Sequence, residues 1–401
     1  MDAHSMERTG ESRRKAAWIF LAVGVVFLAT NLRAPITAVG PLVPSIQQSL
    51  HLSNAEAGIL TTIPLLAFAV LSPFASRLAR RFGMEAVLLY SLLFLLIGHI
   101  MRPLDSAFFL FAGTIFIGTA IAVDNVLMPA LIKEKFANQL GAMMGTYTVA
   151  MNLSAALASG FSIPLAETWG LGWRGSLRFW AVLTIAAFLL WAPQVRYRKK
   201  VPLLPAAHTG RAPLWKSLLA WQVTIFMGVQ SFLFYSLITW LPVLLQSKGM
   251  NEEMAGWMLF LFQFAQLPFM FIVPVMAEKM ENQKLLVFLT FLLMAAGIVG
   301  CLFQSASFMW LSAVLLGIGA GFAFSLAMMF FTLRTRHAMQ AADLSAMAQS
   351  FGYLLAAFGP PAFGWLYDIT KGWTAPLGLL LFASGCLLFS GLGAARNKYI
   401  S

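Results

Sequence analysis

The stretch AAWIFLAVGVVFLATNLRAPITAVGP, residues 16–41, is apolar over most of its length and carries one arginine, Arg33, well inside it. An arginine at the centre of a membrane helix costs roughly 2.5 to 3.5 kcal/mol on insertion scales, so it normally faces a bundle interior or a wet cavity. We therefore interpret this stretch as a membrane-spanning helix whose function depends on what Arg33 faces.

The composition of the whole chain is typical of a membrane protein with many spans. Of its 401 residues 60% are hydrophobic and 10% are charged, whereas a soluble domain is roughly 45 to 50% apolar and about 25% charged. Since a span needs about 20 mostly apolar residues, we predict twelve transmembrane helices. Their predicted ranges are 16–41, 55–77, 85–102, 107–132, 140–166, 174–193, 218–245, 254–277, 285–303, 308–333, 344–367 and 375–395.

The basic residues predict the orientation of these helices. Most of the 27 lysines and arginines fall in loops on one side, while Arg102, Arg174, Arg178, Lys248 and Lys371 fall on the other. By the positive-inside rule both termini are then cytoplasmic, which requires an even number of spans. The net charge of +12 is explained by this topology and by anionic lipid headgroups, and we expect no nucleic-acid partner.

A weak internal repeat divides the chain. At a constant offset of 198 the matching pairs are Pro44 with Pro242, Gln48 with Gln246, Ser49 with Ser247, Ala57 with Ala255 and Gly58 with Gly256. We predict a cytoplasmic tail 1–15, a six-helix half 16–193, a basic cytoplasmic linker 194–217, a second six-helix half 218–395 and a cytoplasmic tail 396–401. The predicted fold class is an all-α membrane protein with 12 transmembrane helices in two pseudo-symmetric halves, the plan of the major facilitator superfamily.

The loop SRLARRFG, residues 76–83, resembles the loop motif that this superfamily carries between its second and third helices. Arg77, Arg81 and Gly83 fit the motif, but its usual first glycine is a serine and its usual aspartate is Arg80. This departure leaves the cytoplasmic gating ion pair of the motif open. Anchoring of the loop at the membrane surface by charge is the alternative interpretation.

A narrower resemblance rests mainly on the first half. The segments NLRAPIT at 31–37, GILTTIPLLAF at 58–68 and NVLMPALIK at 125–133 are similar to the cyanate and 2-nitroimidazole transporter family of bacteria. The resemblance implies location in the bacterial inner membrane. It also implies a substrate that is a small anion or a compact polar heterocycle.

Arg33 is the predicted substrate ligand. Its guanidinium group offers fixed donors that suit a planar carboxylate, a nitro group or a cyanate-like anion, and it stays charged at any relevant pH. On a helix Thr30 and Thr37, three positions before and four after, lie on the same face as Arg33. The alternative is that Arg33 ties helices together through backbone carbonyls or a carboxylate.

Asp124 is the other charge that we place well inside a span. At 1.5 Å per residue Arg33 lies roughly 25 Å above the cytosolic end of its span and Asp124 about 12 Å above that of its own. We therefore expect separate roles for the two residues rather than a salt bridge. Asp124 is a candidate proton-coupling residue or gate partner, and a purely structural acid is the third alternative.

Polar residues near the predicted midplane complete the candidate substrate site. They are Asn31, Asn125, Asn152, Gln230, Gln263, Gln266 and Tyr353. For each of them a hydrogen bond between helices is the alternative, because buried amides in hydrocarbon need partners. The GxxxG spacings at 141–145 and 317–321 predict close helix contacts.

These features together predict a secondary active transporter working by alternating access, with no enzymatic activity, cofactor or metal. The chain has no GxxxxGK[ST] phosphate loop and no HExxH sequence, which argues against an ATP-driven pump or a zinc protease. We expect a monomer whose partners are a small-molecule substrate and the lipid bilayer. The alternative is a proton-coupled multidrug exporter using Asp124, with protons as a further partner, and a more remote one is a membrane sensor that does not transport.

Overall fold

A computed structural model describes residues 18–197, 214–303 and 306–400, and the predicted tail 1–15 and most of the predicted linker 194–217 lie outside them. The described residues are helical and contain no strand. The helices are α1 (18–30), α2 (Ala34–Thr37), α3 (Val43–Leu50), α4 (Asn54–Phe82), α5 (Met84–Met101), α6 (Ala107–Lys135), α7 (Leu140–Ala166), α8 (Gly172–Phe179), α9 (Ala181–Trp191), α10 (Leu218–Ser247), α11 (Glu252–Lys279), α12 (Lys284–Gly300), α13 (Ala306–Leu333), α14 (Ala338–Ala357), α15 (Gly359–Thr370) and α16 (Thr374–Ala394).

Ten helical segments in the described ranges are long and apolar enough to cross a membrane, and α12 is a shorter apolar helix. The predicted span 344–367 is built from two helices, α14 and α15, which meet at Phe358. Pro360 and Pro361 follow at the start of α15, and because proline has no backbone N–H, the preceding helix loses hydrogen bonds there. The predicted all-helical membrane fold is confirmed, with this span in two pieces.

The surface of the protein carries many exposed large hydrophobic side chains, as expected for contact with lipid. Phe108, Phe382 and Phe389 are more than two thirds exposed, and a surface rich in such residues is typical of contact with a membrane. By contrast most of α13, and most of α6 beyond its exposed first turn, is buried inside the protein. These two helices are therefore surrounded mainly by protein, whereas other helices carry more exposed residues.

The chain divides into two compact units. The first comprises the described residues of Met1–Thr61, Leu78–Asp124 and Ala150–Pro202, and the second those of Thr62–Arg77, Asn125–Val149 and Leu203–Ser401. Helices α4, α6 and α7 thus each contribute a segment to both units. The half boundaries expected from the sequence, 16–193 and 218–395, stay a prediction.

The first residues of α4 and α11 are separated by the same number of positions as the internal repeat in the sequence. Helix α4 begins at Asn54 and α11 at Glu252, which are 198 positions apart. Each is preceded by a capping side chain: Ser53 Oγ accepts a hydrogen bond from Glu56 N at 3.3 Å, and Asn251 Oδ1 accepts one from Met254 N at 2.8 Å. Such caps satisfy backbone donors that have no acceptor within the helix.

Candidate functional site

The first span is broken at the position of Arg33. Helix α1 ends at Thr30, residues 31–33 form a turn, and α2 restarts at Ala34. Pro35 lies in the first turn of α2, where a residue without an N–H is tolerated although it would interrupt a continuous helix. The carbonyl of Arg33 accepts hydrogen bonds from the amides of Ile36 and Thr37, both at 3.0 Å, and so caps the new start.

Helix α7 braces the break on one side. Ser154 Oγ donates to the carbonyl oxygen of Thr30 at 2.9 Å, and Thr37 Oγ1 donates to the carbonyl oxygen of Ala155 at 3.1 Å. Helix interruptions at membrane depth are tolerated only where the freed backbone groups find partners in the protein or in a water-filled cavity. Both ends of the break therefore have a fixed partner on the same neighbouring helix.

Asn31 braces the break on a second side, against α9. Its Nδ2 donates to the carbonyl oxygens of Phe27 at 2.8 Å and Leu183 at 3.2 Å, and its Oδ1 accepts from Thr184 Oγ1 at 2.6 Å. Asn31 is 1% exposed. The contacts favour the helix-bridging alternative over a substrate contact for this residue, whose predicted binding role stays untested.

Arg102 provides a third brace, which the sequence did not predict. We placed it among the loop charges opposite the cytoplasmic side, but it is 2% exposed, and its Nη1 donates to the carbonyl oxygen of Pro35 at 2.6 Å. The amide of Val39 bonds to Ile36 instead of Pro35, so the Pro35 carbonyl is available to this arginine. A basic residue directly after a span, before Pro103, is a weak signal that could have suggested such a role.

Arg33 is half-buried at the centre of this braced segment. Asn152, on α7 within the same unit, is also half-buried. A guanidinium held on an ordered, non-helical backbone can present its donors to a small anion without a large loss of conformational freedom on binding. The role of Arg33 as substrate ligand stays a prediction.

Asp124 belongs to the same unit and is fully buried. Ser91 Oγ, on α5, donates a hydrogen bond to its Oδ1. Among the described residues its Oδ2 has no hydrogen-bond partner. A buried carboxyl oxygen without a donor nearby is a position where a proton can be held.

The other predicted site residues lie in the second unit and are mostly buried. The carbonyl of Asn125 accepts a hydrogen bond at 2.9 Å from Gln349 Nε2, which also donates to Ser345 Oγ at 2.8 Å. The Tyr353 ring lies 4.9 Å from that of Phe68, centroid to centroid. Gln349 was not predicted from the sequence, because a single glutamine on an apolar helix gives no local sign of its partner.

The three glutamines predicted for the site differ in their surroundings. Gln230 Nε2 donates to Ser231 Oγ at 2.7 Å, while Gln266 Nε2 makes a long bond of 3.3 Å to the carbonyl oxygen of Phe262. Both are nearly fully buried, whereas Gln263 is half-buried. Gln230 and Gln266 thus have local partners on their own helices.

The residues of the loop motif lie at the junction of α4 and α5. Arg77, Arg80 and Arg81 are exposed, with the guanidinium of Arg77 5.6 Å from the centroid of the Phe74 ring. Gly83 has φ +85° and separates the two helices by a single residue. This backbone conformation favours glycine, which explains the residue type at this position.

An all-helical membrane fold with a polar, braced interruption in an otherwise apolar helix is typical of solute transporters, many of which bind their substrate at discontinuous helices. The family model described as Major Facilitator Superfamily matches residues 19–360. The chain belongs to this superfamily, and it is a transport protein rather than an enzyme.

Relatives place the chain near the cyanate and 2-nitroimidazole transporters. It is 45% identical to the "Uncharacterized transporter YycB" of Bacillus subtilis (strain 168), over 96% of both chains. It is 40% identical to the 2-nitroimidazole transporter of Escherichia coli (strain K12), over 95% of this chain and 97% of that one. The identity to the cyanate transport protein CynX of the same species is 27%, over 86% of this chain and 89% of that one.

The fold is also that of solved transporters. The structure of the proton:xylose symporter XylE bound to 6-bromo-6-deoxy-D-glucose aligns with a TM-score of 0.77 over 96% of this chain and 98% of that one, at 14% identity. At this identity the likeness supports the fold alone. The family match over residues 19–360 and the 40% identity to a transporter, rather than this likeness, identify the protein as a multi-pass membrane transporter of a small molecule.

Proposed function

We propose that the protein is a secondary active transporter that moves a small anionic or compact polar solute, cyanate-like or nitroimidazole-like, across the bacterial inner membrane by alternating access. Arg33 binds the solute in this proposal. The observation that carries it is the break at residues 31–33, held by hydrogen bonds from α7, from α9 and from Arg102 directly after α5. Both termini are cytoplasmic and the protein acts as a monomer.

The chemistry of Arg33 suits both solute types. A nitro group and a carboxylate each offer two oxygens in one plane, which match the parallel donors of a guanidinium, and a cyanate ion gains from its fixed positive charge. Asn152 is the proposed neutral ligand in the same unit. We retain Asn31, Asn125, Gln230, Gln263, Gln266 and Tyr353 as proposed binding residues to be tested singly.

Binding to purified protein tests the assignment of Arg33. A ligand that binds the native state raises its apparent thermal stability by mass action, so cyanate, 2-nitroimidazole and small carboxylates are screened by thermal shift. We expect Arg33→Ala and Arg33→Lys to lose the shift given by the best ligand. The control is Arg396→Ala, which removes an exposed arginine near the C-terminus and keeps the shift. Unchanged affinity in both Arg33 variants would overturn the assignment.

A second candidate function is proton-coupled multidrug export through Asp124. It is favoured by one observation, the fully buried carboxyl group with an oxygen that lacks a described partner. In proteoliposomes Asp124→Asn is then expected to abolish transport driven by a proton gradient while solute exchange continues. An unaltered pH dependence of transport in this variant would remove the coupling role. Solute flux in vesicles that contain only this protein would exclude the remote alternative of a non-transporting sensor.

A further inference from the structure

An apolar cavity of about 430 Å³ lies between α1, α7 and α9 within the first unit. Its volume is in the range of roughly 300–1,000 Å³ that is usual for ligand sites. We call it the leaflet cavity, and its walls include Val26 and Thr30 of α1, one face of α7 from Ala150 to Leu165, and Trp180 and Leu183.

The length of the leaflet cavity matches one half of a bilayer. The stretch of α7 that lines it, from Ala150 to Leu165, is about 22 Å long at 1.5 Å per residue. A bilayer with its headgroup regions is about 40–45 Å thick, so one leaflet measures roughly 20–22 Å. The cavity therefore has room for a molecule that extends along one leaflet.

The walls of the leaflet cavity offer few free hydrogen-bonding groups. Thr30 Oγ1 donates to the carbonyl oxygen of Phe27 at 2.7 Å, and Ser154 Oγ donates to the carbonyl oxygen of Thr30 at 2.9 Å. Both hydroxyl protons are thus used inside the protein. A small polar solute of the kind proposed for Arg33 would lose its hydration in this cavity without gaining partners, so an apolar occupant is favoured.

One side of the leaflet cavity is an exposed apolar stripe on α7. Leu153, Leu157 and Phe161 line the cavity, follow one another at four-residue intervals and are all exposed. Residues at this spacing share one face of a helix. An exposed apolar face on a membrane helix is typical of contact with lipid, which gives a molecule of the bilayer a way into the cavity that avoids water.

Trp180 supplies an unsatisfied donor in the wall of the leaflet cavity. It lies between α8 and α9 and is 6% exposed. Its Nε1 is buried and has no hydrogen-bond partner among the residues that the structure describes. Because an indole can only donate and a buried donor without an acceptor is costly, this position suits an acceptor that a bound molecule brings with it.

The aromatic residues around Trp180 indicate its depth in the membrane. The ring of Phe179 lies 5.5 Å from that of Trp180 and 6.5 Å from that of the exposed Trp169, centroid to centroid. Aromatic side chains of this kind are enriched at the boundary between headgroups and hydrocarbon. The ester groups of phospholipids lie at the same boundary, and their carbonyl oxygens accept hydrogen bonds but do not donate them.

We propose that the leaflet cavity binds an acyl chain of a bilayer phospholipid, with Trp180 Nε1 donating to an ester carbonyl oxygen of the same lipid. By the predicted orientation this lipid belongs to the outer leaflet. A membrane helix of a second copy is a poorer occupant, because its backbone carbonyls are bonded internally. The acyl chain packs against Thr30 and Ser154, whose hydrogen bond holds one end of the break at residues 31–33, and so supports that break.

Native mass spectrometry of the purified protein in detergent tests the role of Trp180. The probes are dioleoylphosphatidylethanolamine and its ether-linked analogue, which has the same headgroup and chain length but no ester carbonyl. We expect the unmodified protein to bind the ester lipid about fivefold more tightly, as the loss of one hydrogen bond predicts. Trp180→Phe keeps an aromatic ring without the N–H, and its preference is expected to fall below about twofold. The control Trp365→Phe, at an exposed tryptophan of the second unit, keeps the preference.

A cavity-filling substitution tests the place of binding. Leu157→Trp puts a larger side chain into the leaflet cavity and is expected to weaken binding of the ester lipid by about tenfold. The matched control is Leu189→Trp, at an exposed leucine of α9 that does not line the cavity. In this control the affinity is expected to change less than about twofold.

Equal binding of the ester and ether lipids by the unmodified protein would overturn the proposal without the need for any variant. Undiminished affinity of Leu157→Trp for the ester lipid would also overturn it. A dimer of the unmodified protein that Leu157→Trp converts to monomers would assign the cavity to a second copy and contradict a lipid occupant. None of these measurements involves Arg33 or the solute, so the lipid site and the proposed transport function can fail separately.

Discussion

The first helices of the two predicted halves differ at matching positions. The repeat offset of 198 pairs Arg33 with Ser231 and Pro35 with Leu233. Around Arg33 the helix is interrupted and braced by neighbours, whereas α10 continues from Leu218 to Ser247 and its Ser231 bonds only to the adjacent Gln230 among its described contacts. One copy of the repeat therefore carries a charge on a broken helix, and the other carries neutral groups on an unbroken one.

This difference indicates a division of labour between the copies. An interrupted helix takes the arginine off a regular helical face, which suits a ligand site. A continuous helix has its backbone hydrogen bonds satisfied internally and suits a rigid wall. We therefore expect discrimination between charged and neutral solutes to depend on Arg33, between α1 and α2. We expect α10 to contribute to the shape of the binding site.

The largest expected effect tests this division directly. Arg33→Ser gives the first copy the residue of the second and removes a charged donor, for which a loss of about 2–5 kcal/mol in binding is typical, or roughly thirtyfold or more. Ser231→Ala is expected to change affinity less than about threefold, because its removal costs one neutral hydrogen bond. Calorimetric titration with the ligand found by thermal shift measures both, and equal losses would contradict the division.

Removal of the brace at Pro35 is expected to have the next largest effect. Arg102→Met keeps an apolar side chain of similar length but leaves the buried Pro35 carbonyl without its donor, at a cost of about 1–3 kcal/mol. The control Arg178→Gln loses only a 3.5 Å contact with the carbonyl oxygen of Pro103. Denaturant titration in detergent micelles gives both stabilities, and an Arg102→Met protein as stable as the control would show that the brace is dispensable.

Removal of the side-chain amide of Asn31 or of Gln230 is expected to change the stability by a smaller amount. Asn31 joins two helices through hydrogen bonds to Leu183 and Thr184, whereas Gln230 bonds within its own helix. Hydrogen bonds between membrane helices average about 0.6 kcal/mol each and reach about 1.7 kcal/mol. We expect Asn31→Leu to destabilise the protein by about 1–2 kcal/mol and Gln230→Leu by about 0.5 kcal/mol, measured by the same titration. The reverse order would contradict the assignment of Asn31 as a helix bridge.

The smallest effect concerns pH and the two helix caps. Hydrogen bonds from the Ser53 backbone amide and hydroxyl lower the pKa of Glu56, while the matching cap, Asn251, does not titrate. A lowered folded-state pKa stabilises the protein above the ordinary pKa of a carboxyl group, and this stabilisation is lost as the pH falls through the folded value. Glu56→Gln should therefore lower the melting temperature slightly at pH 7, and this difference should disappear at a pH below the folded-state pKa of Glu56. A difference that persists at low pH would exclude this cause.

Composition and local patterns were sufficient for the fold, whereas the site that they indicate stays a prediction. Apolar length indicated the spans, and the lone arginine in the first span indicated residue 33. The break was not predicted, although Pro35 is its local sign, because the braces that stabilise it come from Arg102 directly after α5 and from α7 and α9. Contacts such as those of Glu278 with the start of α7 join segments far apart in the chain, and no local pattern reveals them.

Most of the contacts around Arg33 end on backbone carbonyl oxygens, those of Thr30, Pro35, Ala155 and Leu183. A carbonyl oxygen is present whatever side chain occupies its position. At Thr30 and Pro35 the acceptor therefore persists when the side chain changes, because the donors Ser154 and Arg102 lie outside the segment. Asn31 and Thr37 are themselves donors, and their side chains must be kept to hold the break. Substitutions at positions such as Thr30 and Pro35 can change the solute that is bound while the backbone of the break stays in place. Directed evolution at these positions would make use of this property.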